Sequence, residues 1–268
     1  FNETVNLDGA TFEQDFRLAD CSFEKLTTRG TIFRQDPQIS DPIINESWDI
    51  RLSGSSAEKL TITRGIIGKI RIFDVSCPLS FDACTVKSID IQEQGTINSI
   101  EVKRGTIGSI NVGRHGTINL INAKYHGTIN SINAGRLGTI NSINAERLGT
   151  VGSIEVDSGF IESINAGRYG TIGSIGVRLG AIESIDIQEL GAIDSIKIQE
   201  HGYVPLIETC GGIGSLMIYG GVDELEMTGG VIYAFYPSAN NGIKKLDLRG
   251  GRVALLIKPQ DFEPGVQN

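Results

Sequence analysis

The sequence lacks the features that usually mark a membrane span, a metal site or a nucleic-acid interface. No run of about 18 apolar residues occurs, which excludes a membrane-spanning helix. The three histidines lie far from the four cysteines and there is no Cys-x-x-Cys pair, so we expect no zinc site. Lys and Arg number 24 against 32 Asp and Glu, and no stretch gathers the basic residues, which argues against binding to nucleic acid.

Catalytic and cofactor motifs are also missing, but the chain has enough apolar residues, 40% of the total, to bury a core. Cys77 and Cys84 flank a loop-like segment of six residues that is either closed by a disulfide or left with two free thiols. This pair points toward an extracellular or cell-surface location. The sequence starts at Phe1 rather than methionine, as expected for part of a longer precursor or a chain that has lost a leader.

Glycine, with 34 copies, recurs on a fixed period through the centre of the chain. Ten units of 10 or 11 residues follow one another without a gap, as in GTINSIEVKR and GTINSINAGRL. Their first residues are Gly95, Gly105, Gly116, Gly127, Gly138, Gly149, Gly159, Gly170, Gly180 and Gly191. Alternate glycines are always 21 or 22 residues apart, which indicates that the units are grouped in pairs.

Within a unit the apolar residues follow alternating steps of two and three, as at Gly95, Ile97, Ile100 and Val102. That spacing fits neither a straight strand nor a helix, and it predicts short strands separated by tight bends that glycine relaxes. No proline occurs from residue 80 to 204, where a strand ladder needs every backbone N–H. One unit per turn encloses too little space for three aliphatic side chains, so we expect two units to close each turn.

The predicted fold class is all-β, a parallel β-solenoid with about 21 to 22 residues per turn and roughly a dozen turns over 55–60 Å. We divide the chain into irregular N-terminal turns with loop excursions (1–94), a regular array (95–202), and C-terminal turns with a tail (203–268). The array carries 9 basic and 10 acidic residues, so it is nearly neutral, whereas both ends are more acidic.

The triplets ATF and CSF near the start, with the pattern G-x-I-x-x-I-x-A in the array, resemble pentapeptide-repeat proteins. In that family small and large residues at this spacing both point into a right-handed β-helix, so the resemblance implies a right-handed coil. Some members are acidic rods that mimic DNA. Because the array here is nearly neutral, we do not transfer that role.

Threonine follows the glycine in most units and is expected to stack into outward rows. One row contains Thr106, Thr128, Thr150 and Thr171. A flat threonine lattice orders water against ice, so ice binding is one hypothesis; the other is the ordinary use of threonine on a solvent-facing strand. Asparagines are also expected to stack, and their amides either join adjacent turns or offer donors and acceptors to a sugar. These residues are Asn122, Asn144 and Asn165 on one side and Asn111 and Asn133 on the other.

Two candidate ligand or catalytic sets stand out from the rows. Glu162 and Glu183 share a column one turn apart, with Asp186 nearby, and carboxylates gathered in this way serve calcium binding or proton transfer in polysaccharide-cleaving β-helices. A solvated acidic edge explains the same residues. Four aromatic residues near the C-terminus are candidates for stacking on sugars: Tyr219, Tyr233, Phe235 and Tyr236. The alternative is that they pack in the core or in a cap.

Nearly every residue of the repeat has a role in forming the turns of the solenoid. The sequence therefore favours a non-enzymatic rod without a cofactor. We interpret it as a scaffold, or as an adhesive or fibre domain of a larger protein, with a protein or glycan partner. The alternative is a β-helix that binds or processes carbohydrate in a lateral groove, and ice binding is a third hypothesis. Exposed strand edges at the two ends favour homo-oligomers.

Overall fold

Successive repeat units fold into successive parallel strands, as their Ile- and Val-rich pattern predicts. The computed structural model describes residues 3–52, 57–75, 77–92, 94–237 and 243–257. These residues are all-β, with strands, bends and turns and no helix among them. The chain winds as a parallel β-solenoid, so the fold class predicted from the sequence is confirmed.

The described residues form 27 strands. The first eleven are β1 (Thr4–Asn6), β2 (Thr11–Phe12), β3 (Arg17–Ala19), β4 (Ser22–Arg29), β5 (Ile32–Phe33), β6 (Gln38–Ser40), β7 (Ile43–Arg51), β8 (Leu60–Thr63), β9 (Ile66–Asp74), β10 (Leu79–Asp82) and β11 (Thr85–Ile91). The array contains β12 (Thr96–Lys103), β13 (Thr106–Val112), β14 (Thr117–Lys124), β15 (Thr128–Ala134), β16 (Thr139–Glu146), β17 (Thr150–Val156), β18 (Phe160–Ala166), β19 (Thr171–Val177), β20 (Ala181–Ile187) and β21 (Ala192–Ile198). The last six are β22 (Tyr203–Thr209), β23 (Gly212–Ile218), β24 (Gly221–Met227), β25 (Val231–Tyr236), β26 (Lys245–Asp247) and β27 (Arg252–Leu256).

Two large parallel sheets form the sides of the solenoid, and the strands of the array alternate between them. The 13-stranded sheet has the order β1-β4-β7-β9-β11-β13-β15-β17-β19-β21-β23-β25-β27. The 12-stranded sheet has the order β26-β24-β22-β20-β18-β16-β14-β12-β10-β8-β6-β3. A two-stranded sheet of β2 and β5 lies in the irregular N-terminal part.

The pairing register shows that two units make one turn. Thr106 lies opposite Thr128, the equivalent residue two units later, and Thr117 on the other sheet lies opposite Thr139. The stack continues across both ends of the array, because β10 pairs with β12 and β20 pairs with β22. The three-part division of the chain therefore falls within one continuous stack and stays a prediction.

Three positions of each array strand point inward and fill the space between the two sheets. In β12 these are Ile97, Ile100 and Val102, and all three are fully buried. The N-terminal turns use larger residues for the same purpose, including Trp48 and Phe33. The buried residues form a single apolar core along the solenoid.

Within the array, the bends between strands place the left-handed backbone angle at a residue other than glycine. In most of the array, the residue before the repeat glycine has a positive φ, such as 68° at Leu148 and 62° at Tyr169. The glycine itself allows close stacking: a Cβ on Gly149 would lie 1.9 Å from the carbonyl oxygen of Ala123 in the turn before. Glycine at these positions therefore permits close approach of two backbones, and the expectation that it relaxes the bends is wrong.

Neighbouring residues at one bend provide a matched test of this account. We expect Gly149→Ala to lower the free energy of unfolding by about 3 kcal/mol or more, because its methyl group has no room against the Ala123 carbonyl. Leu148→Asn should change the stability of the isolated chain, measured at high dilution, by less than about 0.5 kcal/mol, because asparagine tolerates a positive φ. Chemical denaturation of both variants measures the two effects, and a well-tolerated Gly149→Ala would contradict the account.

Candidate functional site

A lateral groove runs along one edge of the 13-stranded sheet. It lies next to the C-terminal ends of the strands β11, β13, β15, β17, β19, β21 and β23. It consists of three depressions with volumes of about 320, 260 and 310 Å³. The first and second share Asn133 and Gly135, and the second and third share Arg178 and Gln199. The shared residues make the three depressions continuous, so the groove follows the solenoid axis.

The register of the sheet places one column of polar side chains along the groove. The column is Asp90, Asn111, Asn133, Glu155, Gly176 and Lys197, one residue from each successive turn. The Asn111 amide donates a hydrogen bond to the Asp90 carboxylate at 2.8 Å. The Glu155 carboxylate lies over Gly176, since a Cβ on that glycine would be 2.3 Å from Glu155 Oε2.

The residues just after the strands shape the other side of the groove. Gly113 and Gly135 follow β13 and β15 and add no side chain to the groove, whereas Asp157 and Arg178 follow the next two strands of this sheet and form an ion pair between turns. Farther along, Tyr219 borders the third depression. The groove thus offers amides, carboxylates, a guanidinium and one aromatic ring, which suit hydrogen bonding to an elongated polar molecule.

A separate depression of about 440 Å³ lies on the 12-stranded sheet, around Glu101. The Glu101 carboxylate accepts a hydrogen bond from Lys124 and forms ion pairs with Lys103 at 2.9 Å and Lys59 at 3.5 Å. Burial disfavours the charged carboxylate, but the hydrogen bonds and charges of Lys124 and Lys103 outweigh it and lower the pKa of Glu101 to about 2. In the same depression Asn122 Oδ1 is buried and has no hydrogen-bond partner among the described residues.

The threonine row expected from the sequence is present on the 13-stranded sheet. Thr106, Thr128, Thr150 and Thr171 stack in register, and all four are half-buried. Thr85 extends the row at one end, and Ala192 replaces threonine at the other. The stacking of the row is thereby established, whereas ice binding stays a prediction.

The candidate carboxylates do not converge on one point. Glu162 of β18 and Glu183 of β20 lie at equivalent positions of adjacent turns, because the residues on either side of them are paired in register. Both glutamates are exposed. Asp186 is three positions farther along β20, opposite Asn165. Among the described residues, no group of three or more His, Cys, Asp and Glu side chains is placed to hold a metal ion.

The four C-terminal aromatic residues separate into different environments. Phe235 is only 4% exposed and belongs to the core, so its ring is not accessible for stacking on a sugar and this candidate is corrected. Tyr233 is 60% exposed on the outer face of β25, and Tyr236 at the end of that strand is half-buried. Only Tyr219 borders the lateral groove.

All four cysteines are free thiols, which decides between the two alternatives for Cys77 and Cys84. Both side chains are buried, and burial raises the pKa of the Cys77 thiol to about 11. The location of the protein stays a prediction.

Sequence reasoning missed the main residues of the groove. Asn111 and Asn133 were expected chiefly to stabilise adjacent turns, with hydrogen bonding to a sugar as the alternative, and Arg178 and Gln199 were not grouped with them. The available signal was glycine directly after the strand at Gly113 and Gly135, where later turns carry larger polar residues.

No protein-family model, curated protein or solved structure matches this chain. The resemblance to pentapeptide-repeat proteins and the right-handed coil it implies therefore stay predictions. The described part of the chain includes no helix of the length and apolarity that crossing a bilayer requires.

The lysine cluster around Glu101 predicts a pH-dependent contribution to stability. The pKa of Glu101 is lower in the folded protein than its ordinary value of 4.5, so its stabilising effect is complete above that pH and is lost as the pH falls toward 2. We expect Glu101→Gln to lower the free energy of unfolding at pH 7 by about 2 to 3 kcal/mol.

Denaturation from pH 7 to pH 2 measures this effect, with the exposed Glu162→Gln on the same sheet as the control. The difference between wild type and Glu101→Gln should shrink below pH 4.5, while the control stays within about 0.5 kcal/mol of wild type throughout. An equal loss of stability at every pH would contradict the electrostatic explanation.

Proposed function

We propose that the protein is a non-enzymatic interaction rod, a stiff scaffold whose lateral groove binds an extended glycan. The observation that carries the proposal is the continuity of the groove along the axis, from Asp90 in β11 to Tyr219 after β23. A ligand that fills such a groove is elongated and repeats along its length, as a polysaccharide does.

The scaffold part of the proposal follows from how the side chains are used. Each array turn contributes two strands and six inward aliphatic or alanine positions. Within a polar column, side chains on adjacent turns are hydrogen-bonded to each other. Asn119, for example, donates its amide to Asn98 at 3.4 Å, and Asn141 donates to Asn119 at 3.3 Å. These bonds stiffen adjacent turns, which supports a role as a rod that presents its edges to partners.

The groove chemistry supports binding without cleavage. Its amides and charged groups supply donors and acceptors for sugar hydroxyls, and Tyr219 supplies a ring at one end. The Asp157 carboxylate is held by Arg178, and the Asp90 carboxylate is held by Asn111 and Lys69. Carboxylates held in this way fix the shape of the groove and orient its donors.

Glutamines at equivalent places on the two edges of the solenoid give a matched test. Gln199 borders two depressions of the groove, whereas Gln188 occupies the same position of the preceding unit on the opposite edge. We expect Gln199→Ala to weaken binding of the best ligand from a glycan array by about fivefold to tenfold, and Gln188→Ala to leave it unchanged.

A reducing-end assay on the same glycans completes the test. The proposal predicts saturable binding and no release of new reducing ends over prolonged incubation. Depolymerisation would overturn the non-enzymatic assignment, and the absence of binding to any glycan would overturn the assignment of the groove.

A further inference from the structure

The edge opposite the groove carries a strip of exposed apolar and charged residues that the glycan proposal does not use. We name it the corner strip; it follows β14, β16, β18 and β20 of the 12-stranded sheet. Its members are Tyr125, His126, Arg147, Leu148, Arg168, Tyr169, Glu189 and Leu190, all of them exposed. Leu148, Tyr169 and Leu190 are 50%, 49% and 52% exposed, which is high for side chains of this size in consecutive turns.

Backbone hydrogen bonds align the corner strip with the solenoid axis. The N–H of Tyr125 donates to the carbonyl of Arg147 at 3.0 Å, and the N–H of Arg147 donates to the carbonyl of Arg168 at 3.2 Å. The register of β18 with β20 continues the same alignment to Glu189 and Leu190. The result is two parallel columns, one of mainly apolar and one of mainly charged residues, with one residue per turn in each.

The apolar column retains large side chains where the backbone disfavours them. Leu148, Tyr169 and Leu190 have φ values of 68°, 62° and 64°. Asparagine or glycine adopts this conformation at lower energy, and both are abundant in the neighbouring repeats. Bulky residues in such a place occur singly elsewhere, but here they recur in three consecutive turns, which is typical of a surface that has a partner.

The charges of Arg147 and Glu189 are complementary to those of a second copy of the strip that runs in the opposite direction. No carboxylate of the described residues forms an ion pair with Arg147 or Arg168, and no cation among them pairs with Glu189. Arg147 lies one turn before Tyr169, and Glu189 lies one turn after it. The strip thus has a positive turn with Arg147, a central turn with Arg168 beside Tyr169, and a negative turn with Glu189.

We propose that the corner strip is the interface of an antiparallel homodimer, with a twofold axis at Tyr169. This symmetry places Arg147 of one copy opposite Glu189 of the other, twice, and Leu148 opposite Leu190, also twice. The two Tyr169 rings meet at the axis, and each already carries the Arg168 guanidinium of its own chain 5.3 Å from the ring centroid. The same axis brings the two Arg168 guanidiniums near each other, but each already lies over the Tyr169 ring of its own chain, and the two Arg147–Glu189 pairs outnumber this single like-charge contact. The self-complementary pairs favour a second copy of this chain over an unrelated partner.

Charge reversal tests the pairing directly, on the full chain, by sedimentation equilibrium. Arg147→Glu and Glu189→Arg should each weaken dimerisation by about tenfold or more, because each creates like-charge contacts twice. The double variant should return to within about threefold of wild type, because it restores both pairs with reversed polarity. Additive losses in the double variant would overturn the proposed pairing.

The apolar part of the interface is tested by variants that are expected to fold well. Leu148→Asn combined with Leu190→Asn relieves two strained angles and should abolish the dimer. Leu137→Asn is the matched control, since Leu137 is 52% exposed with φ of 57° but lies on the other edge. A monomer at every concentration, or a dimer that the Leu137 variant weakens equally, would overturn the proposal without affecting the glycan site.

Discussion

Hydrogen bonds between successive turns are the interaction on which the rest of this structure depends. They begin immediately after the repeat glycine: the Thr117 N–H donates to the carbonyl of Gly95 at 2.8 Å, and the Thr139 N–H donates to that of Gly116 at 2.9 Å. Each later strand residue then keeps the same partner position one turn away. Because every turn has nearly the same length, each side chain lies above its equivalent, and the sequence repeat becomes a set of straight columns.

The columns determine what the surface can do. A residue type that recurs every second unit forms a line parallel to the axis. A line of polar residues forms the wall of a groove, and a line of apolar residues forms an exposed strip. The lateral groove and the corner strip arise in this way from the residues that follow the strands of the two sheets. Changing one residue alters one turn of a line, which makes these surfaces suited to elongated partners.

Sequence reasoning predicted the fold well because the decisive signals are periodic and local. The steps of two and three among Ile97, Ile100 and Val102, with paired glycine spacings of 21 or 22, specify short inward-facing strands and two units per turn. The role of glycine was less accessible, because the 1.9 Å approach of a Gly149 Cβ to the Ala123 carbonyl depends on the distance between turns. A residue count along one unit contains no such information.

The candidate site was predicted less well, because it depends on three-dimensional neighbours that the repeat does not encode. Phe235 shares an aromatic-rich segment with Tyr233, yet alternation along β25 places the first in the core and the second outside. Gln199 and Asn133 both line the second depression of the groove, although they lie three turns apart along the solenoid. The carboxylates Glu162 and Glu183 were placed correctly on adjacent turns, but their exposure and their separation from Asp186 required the structure.

Engineered disulfide formation tests the central claim, that two units close each turn in register, most directly. Cysteines introduced at Thr106 and Thr128 should cross-link readily on oxidation, because these residues are paired on adjacent parallel strands at a separation that a disulfide spans. Cysteines at Thr106 and Thr117, which are closer in sequence, should not cross-link because they lie on different sheets. Mass spectrometry of the oxidised chains distinguishes the products, and efficient cross-linking of the second pair with none in the first would contradict the account.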